Sequence, residues 1–209
     1  MSRPPAAFEG FPRDTVTFLR ALARHNTEAW MADNRARYQA AILTPARQAV
    51  VAVGNALHEA GCRVVADPRV NGSIVRIARD RRFRPDVPPY KTHLALLWWT
   101  DGVRMEEPAF YVQIATKGIE YGVGLPEIPR EVLPRFRRWL VEGDHASRLR
   151  ESTTLPASAG VEWELRRLSR VPHPPELFTP AFPGWLVSQW EPLVPFWRVL
   201  QEGLSAARR

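Results

Sequence analysis

The sequence predicts an α+β fold in which a central antiparallel β-sheet of about five strands packs with N-terminal and C-terminal helices. Three observations favour this class. The first third of the chain carries apolar residues at helical spacing, the middle carries short β-type runs separated by turn residues, and helical spacing returns toward the C-terminus. Helices and strands that are segregated along the chain are typical of α+β domains.

The N-terminal third is predicted to form three helices. Asp14 and Thr27 are suitable N-caps for the first two, because their side chains can accept hydrogen bonds from the first helical turn. Pro45 suits the first turn of the third helix, and Gly61 is a typical residue at a helix end. The predicted helices span residues 14–24, 27–43 and 44–60.

The middle of the chain is predicted to form an antiparallel meander. Leu94 to Thr100 is apolar at nearly every position, which suits a strand covered on both faces. Asp101-Gly102 and Lys117-Gly118 are typical of turns between antiparallel strands. The expected strands are residues 62–65, 73–77, 94–100, 109–116 and 119–124.

The last third is predicted to be helical at both ends. A helix with a clear apolar stripe opens at Pro129, and a short one follows at 146–151. Residues 152–190 contain six prolines and are expected to be irregular, apart from a strand near 161–165. A final helix carries Leu193, Trp197, Leu200 and Leu204. We expect one domain over residues 8–204, with flexible termini at 1–7 and 205–209.

The composition fits a folded, basic protein. The chain has 209 residues, 45% of them hydrophobic, with eight Trp and nine Phe to build a core. The formal charge of +7 permits an anionic partner such as nucleic acid or a nucleotide, although a general bias toward arginine would also produce it. We find no signal peptide and no apolar run long enough for a membrane span, which predicts a cytoplasmic protein without membrane contact.

The single cysteine limits the kinds of site that the chain can form. Cys62 excludes an intramolecular disulfide and a cysteine-based zinc cluster, and it is expected to be a buried, inert thiol. The five histidines have no metal-ligand spacing, and no phosphate-binding P-loop or dinucleotide loop occurs. We therefore predict no metal site and no cofactor.

The most informative segment is residues 76–91, which we call the basic motif. It holds six Lys and Arg residues and two acids, so it supplies +4 of the formal charge of +7. Arginine presents a planar fork of donors that matches phosphate or carboxylate, and several arginines together can clamp one anion. We therefore predict binding of an anionic, phosphate-bearing ligand. The predicted ligand-binding residues are Arg76, Arg79, Arg82, Tyr90 and Lys91.

The sequence leaves open whether the protein is an enzyme. Asp80 and His93 are the candidates for proton transfer on such a ligand. One alternative is a structural motif, in which Asp80 pairs with a neighbouring arginine and Phe83 lies in the core. Another is a non-enzymatic binding or scaffold module for nucleic acid or an acidic protein. The oligomeric state is not predicted.

The basic motif also carries a family resemblance. Arg76-x-x-Arg79-Asp80-x-Arg82-Phe83, followed by Asp86 and Tyr90-Lys91, resembles the signature of a bacterial family of unknown function, DUF2461. The likeness covers roughly residues 8–200, including Phe18 to Trp30 and the strands around Ala109 and Tyr121. The family pattern favours lysine after the acid at Asp86, where this chain has Val87. The resemblance implies the fold and no particular activity.

Overall fold

The computed structural model describes residues 7–82, 84, 86–151 and 165–209. Within these residues the fold combines α-helices with one four-stranded sheet, so the predicted α+β class is confirmed. The helices are α1 (Arg13–Arg24), α2 (Glu28–Asp33), α3 (Arg35–Tyr38), α4 (Thr44–Glu59), α5 (Leu133–Val141), α6 (His145–Glu151), α7 (Phe182–Trp190) and α8 (Val194–Arg208). The strands are β1 (Leu94–Trp99), β2 (Ala109–Ile114), β3 (Ile119–Gly124) and β4 (Arg166–Val171).

The sheet has the strand order β1-β2-β3-β4, and every neighbouring pair is antiparallel. The predicted turn at Lys117-Gly118 closes the β2–β3 hairpin, where the Ala115 N–H donates to the Gly118 carbonyl at 2.9 Å. The predicted turn at Asp101-Gly102 is part of a longer connection, because β1 ends at Trp99 and β2 begins at Ala109. This connection contains Arg104.

The sheet has four strands in the described residues, so the expected count of about five is wrong. The predicted strands at 62–65 and 73–77 make only isolated bridges to β1, at Val65 with Trp99 and at Ile74 with Leu96. Both segments lie beside the same strand, and each exchanges too few backbone hydrogen bonds with it to form a continuous ladder. Both are irregular segments that lie alongside β1.

The fourth strand lies in a region expected to be irregular. β4 contains three arginines and a serine, which hide the alternation that would mark a strand. Helix α7 also lies in that region, and Pro183 is in its first turn, where proline is tolerated. Of the strand predicted near 161–165, residues 161–164 lie outside the described residues and Leu165 directly precedes β4.

The second predicted helix is interrupted. Thr27 caps it as expected, since its side chain accepts a hydrogen bond from the backbone N–H three residues later. The helix breaks at Asn34 and then passes through a π-helical turn at Gln39–Leu43 before α4 begins. In that turn the Ala41 carbonyl accepts the buried Thr15 hydroxyl at 2.6 Å. The turn therefore joins α1 to the start of α4.

The helices on either side follow the prediction more closely. Helix α4 has Pro45 in its first turn, and Gly61 follows its end with a φ of 78°. Asp14, in contrast, is not the N-cap of α1, which is Pro12. The Asp14 carboxylate instead accepts both hydrogen bonds of the Arg37 guanidinium, at 2.9 and 2.5 Å. This ion pair ties α1 to α3.

The main core lies between one face of the sheet and the helices. Trp98 is fully buried, and its indole N–H donates to the Val50 carbonyl of α4 at 2.9 Å. Trp190 of α7 packs against Trp98 and against Phe110, with ring centroids 5.5 and 5.2 Å apart. Trp99 points to the opposite face and packs in a second, smaller cluster. The two neighbouring tryptophans therefore serve different faces of the sheet.

Cys62 is buried in the main core, as predicted, and burial raises the pKa of its thiol. The core also takes in Phe11 from the N-terminal segment, whose N–H donates to the Leu177 carbonyl at 2.9 Å. At the other end of the chain, α8 continues to Arg208, beyond the point where fraying was expected. Arg208 reaches the buried Glu107 carboxylate at 2.5 Å. No helix in the described residues is long and apolar enough to cross a bilayer.

The basic motif forms a wide loop with a narrow neck. An antiparallel bridge joins Ala78 to Tyr90, and the Lys91 N–H donates to the Ile77 carbonyl at 2.8 Å. Asn26, from the break between α1 and α2, reinforces this neck. Its side-chain amide donates to the Tyr90 carbonyl at 2.9 Å and accepts from the Tyr90 N–H at 3.0 Å. One amide therefore satisfies both backbone polar groups of Tyr90 and ties the loop to the helical layer.

Asn26→Ala is expected to lower the free energy of unfolding by about 1–3 kcal/mol, because two partly buried backbone groups lose their partner. Urea unfolding measures this change. Asn34→Ala is the matched control, since its amide makes one local bond to the Trp30 carbonyl within the same helical region. Equal losses in the two variants would contradict a special role for Asn26.

Candidate anion-binding site

A cleft of about 480 Å³ opens beside the basic motif. We call it the basic cleft. Five cationic side chains and one carboxylate line it, so the charge of its walls is +5 − 1 = +4. The charged residues that line it are Arg76, Arg79, Asp80, Arg84, Lys91 and Arg104.

Two separate segments supply these cations. Arg76 and Arg79 lie on the strand-like segment that enters the neck of the loop, and Lys91 lies on the segment that leaves it. Because the bridge at the neck is antiparallel, residues that are distant in sequence are held side by side. Arg104 comes from the connection between β1 and β2, so the cleft forms only when the sheet and the loop are both in place.

The structure brings together only some of the predicted ligand-binding residues. Arg76, Arg79 and Lys91 line the basic cleft, while Arg82 and Tyr90 are not among its described lining residues. The Arg82 guanidinium lies against the Asp80 carboxylate, with Nη2 and Oδ2 2.6 Å apart. The Tyr90 side chain packs against the main core. These two residues therefore support the loop rather than face the cleft.

The two candidates for proton transfer are also separated. Asp80 lines the cleft, but His93 is not among the lining residues, and it is half-buried at the start of β1. Hydrogen bonds from the Arg82 side chain, then from its backbone N–H, hold the pKa of Asp80 at about 2. Asp80 is therefore ionised and engaged at neutral pH. Burial, followed by repulsion from Lys91 and Arg79, lowers the pKa of His93.

Sequence reasoning missed Arg104 entirely and did not single out Arg84. Arg84 lies within the basic motif but was one of several arginines there. Arg104 stands alone in a turn, 13 positions after Lys91, and no local pattern marks it. Only the pairing of β1 with β2 places its connection beside the loop. Phe83, which the structural alternative places in the core, lies outside the described residues.

Arg104 has unsatisfied hydrogen-bond donors. Its Nε and Nη2 atoms are buried and have no hydrogen-bond partner among the described residues. Burial lowers the pKa of its guanidinium, and the Asp67 carboxylate partly opposes this effect. Asp67, however, already accepts hydrogen bonds from Arg69 with both of its oxygens. The Nε and Nη2 donors of the Arg104 guanidinium therefore have no hydrogen-bond acceptor among the described residues.

The Lys91 ammonium group is repelled by neighbouring cations of the cleft. Burial is the largest cause of its lowered pKa, followed by repulsion from Arg79, Arg76 and Arg104. All three charged groups that shift the pKa of Lys91 therefore have the same sign as the lysine. A negative group in the basic cleft would relieve this repulsion.

The cations of the basic cleft are not neutralised by nearby acids. Several arginines elsewhere on the described surface do pair with acids. The closest pairs are Arg37 with Asp14, Arg69 with Asp67, Arg82 with Asp80, Arg148 with Glu202, Arg170 with Glu120, and Arg208 with Glu107. None of the five cations that line the cleft forms an ion pair with a described residue. An anion from solvent could therefore pair with them.

A second cleft, of about 570 Å³, lies beside α5 and α6. Its walls include apolar residues such as Phe136 and Leu140. They also carry one acid and five arginines: Glu127, Arg130, Arg137, Arg150, Arg166 and Arg167. We place the candidate site in the basic cleft, because that cleft contains Arg76, Arg79 and Lys91 of the basic motif and the buried donors of Arg104 that have no partner among the described residues.

Val87 also lines the basic cleft. This is the position at which the resemblance to DUF2461 implies a lysine. The one departure from the family signature therefore falls on the wall of the candidate site, where it leaves this chain with one cation fewer than that signature.

Comparison with known proteins agrees with the resemblance. Residues 14–182 match the sequence profile of DUF2461, which is described as a conserved hypothetical protein. The matched region contains the basic motif, Arg104 and all four strands of the sheet. No curated protein and no solved structure matches the chain. The match covers well over half of the chain, and the protein belongs to the DUF2461 family.

Proposed function

We propose that the protein binds a phosphate-bearing anion in the basic cleft, through Arg76, Arg79, Lys91 and Arg104. The observation that carries this proposal is the Arg104 guanidinium, whose buried Nε and Nη2 have no partner among the described residues. The other cations of the cleft form no ion pair with a described residue, although the Arg79 Nε–H donates to the Tyr90 carbonyl at 3.4 Å.

The energetics favour an acceptor at this place. A buried donor without a partner costs about 1–3 kcal/mol, and more when the group is charged. A ligand oxygen on the Arg104 fork would remove that cost and add a charge-assisted hydrogen bond. Arg104 therefore supports the proposal better than the exposed arginines, because unpaired arginines at an open surface remain hydrated.

Phosphate suits the chemistry of these groups. Arginine can give two parallel N–H donors to two oxygens of one phosphate, and lysine adds a compact charge. Arg76, Arg79 and Arg84 are exposed at the cleft, so they can meet an anion that arrives from solvent. The half-buried Arg104 and Lys91 would then hold it more deeply.

The positions of the acid-base candidates support binding more than catalysis. Asp80 is held ionised by Arg82, which makes it a weak proton acceptor at neutral pH. His93 has a lowered pKa and could accept a proton, but it is not among the described residues that line the cleft. We therefore propose a binding function and assign no reaction.

Arg104→Met and Lys91→Met should each weaken phosphate binding by about 10- to 100-fold, because a hydrogen bond to a charged group contributes about 1.5–3 kcal/mol. The same changes should leave the thermal stability of the free protein equal or higher, since they remove unpaired charge. Calorimetric titration and thermal unfolding measure the two effects. Arg138→Gln is the control, because it removes an exposed positive charge from α5.

Two results would contradict this proposal. One is unchanged phosphate binding in both methionine variants. The other is binding of a single-stranded oligonucleotide that Arg138→Gln weakens as much as the two methionine variants do. The affinity for that oligonucleotide would also fall steeply as the salt concentration rises. Such a salt dependence is typical of a broad basic surface that binds nucleic acid.

Val87→Lys should strengthen phosphate binding by about 1.4- to fivefold, since a partly exposed charge pair contributes about 0.2–1 kcal/mol. Val141→Lys is the matched control. It makes the same substitution at a valine that is 83% exposed and belongs to α5. An equal gain in both variants would mean that net charge, not the basic cleft, determines binding.

A further inference from the structure

We propose that the natural ligand carries two or more linked phosphate groups, as in a diphosphate or a longer phosphate chain. This inference rests on the proposed function and specifies the ligand class for the same cleft. It follows from the amount of charge on the walls, from its distribution and from the chemistry of the remaining wall residues.

The charge exceeds what one phosphate group can balance. The walls carry +5 from arginine and lysine and −1 from Asp80, which gives +4. A single phosphate monoester brings a charge of about −1.5 to −2 near neutral pH. It would leave about half of the positive charge uncompensated in the cleft. A linked pair of phosphates comes closer to balance.

The effective excess of positive charge in the cleft is larger than the sum of +4 indicates. The Asp80 carboxylate accepts hydrogen bonds from the Arg82 guanidinium at 2.6 and 3.0 Å. Arg82 is not among the described lining residues of the cleft. Asp80 is therefore already balanced from outside the cleft and contributes little negative charge to the five cations inside.

The cations are distributed so that one phosphate would leave some of them without a partner. Arg76 and Arg79 belong to the basic motif, whereas Arg104 belongs to the β1–β2 connection. Lys91 lines the same cleft and is near enough to all three arginines for their charges to repel its ammonium group. A diphosphate would place one phosphate group on the motif side and the other on Arg104, with Lys91 near the bridge.

The remaining wall residues favour recognition of the phosphate chain itself. The described uncharged residues of the wall are small or aliphatic, apart from the Asn71 amide. None of the described lining residues is aromatic, so the wall offers no aromatic ring on which a base could stack. The volume of about 480 Å³ is within the range of small-molecule sites, roughly 300–1,000 Å³. The cleft therefore has room for linked phosphates and selects them mainly by charge.

The test compares orthophosphate, pyrophosphate, tripolyphosphate and citrate by calorimetric titration of the full chain, at one pH and constant ionic strength without divalent metal. We expect pyrophosphate and tripolyphosphate to bind at least tenfold more tightly than orthophosphate, because they reach both groups of cations. Citrate is an anion without phosphate groups, so it tests whether charge alone determines the affinity. We expect citrate to bind more weakly than pyrophosphate.

Two variants make the test specific for a bridging mode. Arg76→Met and Arg104→Met remove one cation from the basic motif and one from the β1–β2 connection. Both should reduce the affinity for pyrophosphate by tenfold or more. For orthophosphate, only Arg104→Met should do so, since one phosphate group held by Arg104 and Lys91 does not need Arg76. Circular dichroism and thermal unfolding identify any variant that is misfolded, and for such a variant Arg76→Gln or Arg104→Gln replaces it.

The outcomes separate this inference from the proposed function. Equal affinity for orthophosphate and pyrophosphate would overturn the linked-phosphate inference while anion binding stands. Citrate that binds as tightly as pyrophosphate would overturn it in the same way. If none of the four anions binds, then both the inference and the proposed function are wrong.

Discussion

The two hydrogen bonds between the Asn26 amide and the backbone of Tyr90 are the interaction on which the candidate site depends. They join residues that are 64 positions apart and hold the neck of the basic loop against the helical layer. An unpaired backbone group away from water is costly, so the chain here has few alternatives to this arrangement. With the neck fixed, Arg79 and Lys91 are held together on one side of the loop, and the β1–β2 connection can bring Arg104 to them.

The cleft that results combines like charges at a cost to the folded protein. Lys91 lies among three arginines, and Arg104 keeps two buried donors without a partner in the described residues. Several other arginines of the chain are paired with acids, whereas none of the five cations of the cleft forms an ion pair with a described residue. Perturbed pKa values tend to be concentrated at functional sites. The proposed binding function would account for these like charges being held together.

Much of the fold could be predicted because apolar periodicity records which residues are buried. The hairpin of β2 and β3, the cap at Thr27 and the opposite faces of Trp98 and Trp99 follow from local patterns. Strand β4 was missed because its arginines hide its alternation, and the segments at 62–65 and 73–77 look like strands although they pair only at single bridges. The candidate site could be predicted from the sequence only in part. The basic motif is a local signal, but Arg104 joins it only through the tertiary fold, and the side-chain directions of Arg82 and Tyr90 depend on the neck.

The most direct test of anion binding at this place is a crystal structure of the protein grown with tungstate, which mimics phosphate and is located by its anomalous scattering. The expected result is a tungstate within hydrogen-bonding distance of the Arg104 guanidinium and the Lys91 ammonium group. The contrary result would be a basic cleft without tungstate, with the Arg104 Nε and Nη2 bonded to protein oxygens. That result would mean that the cations of the cleft have a structural role.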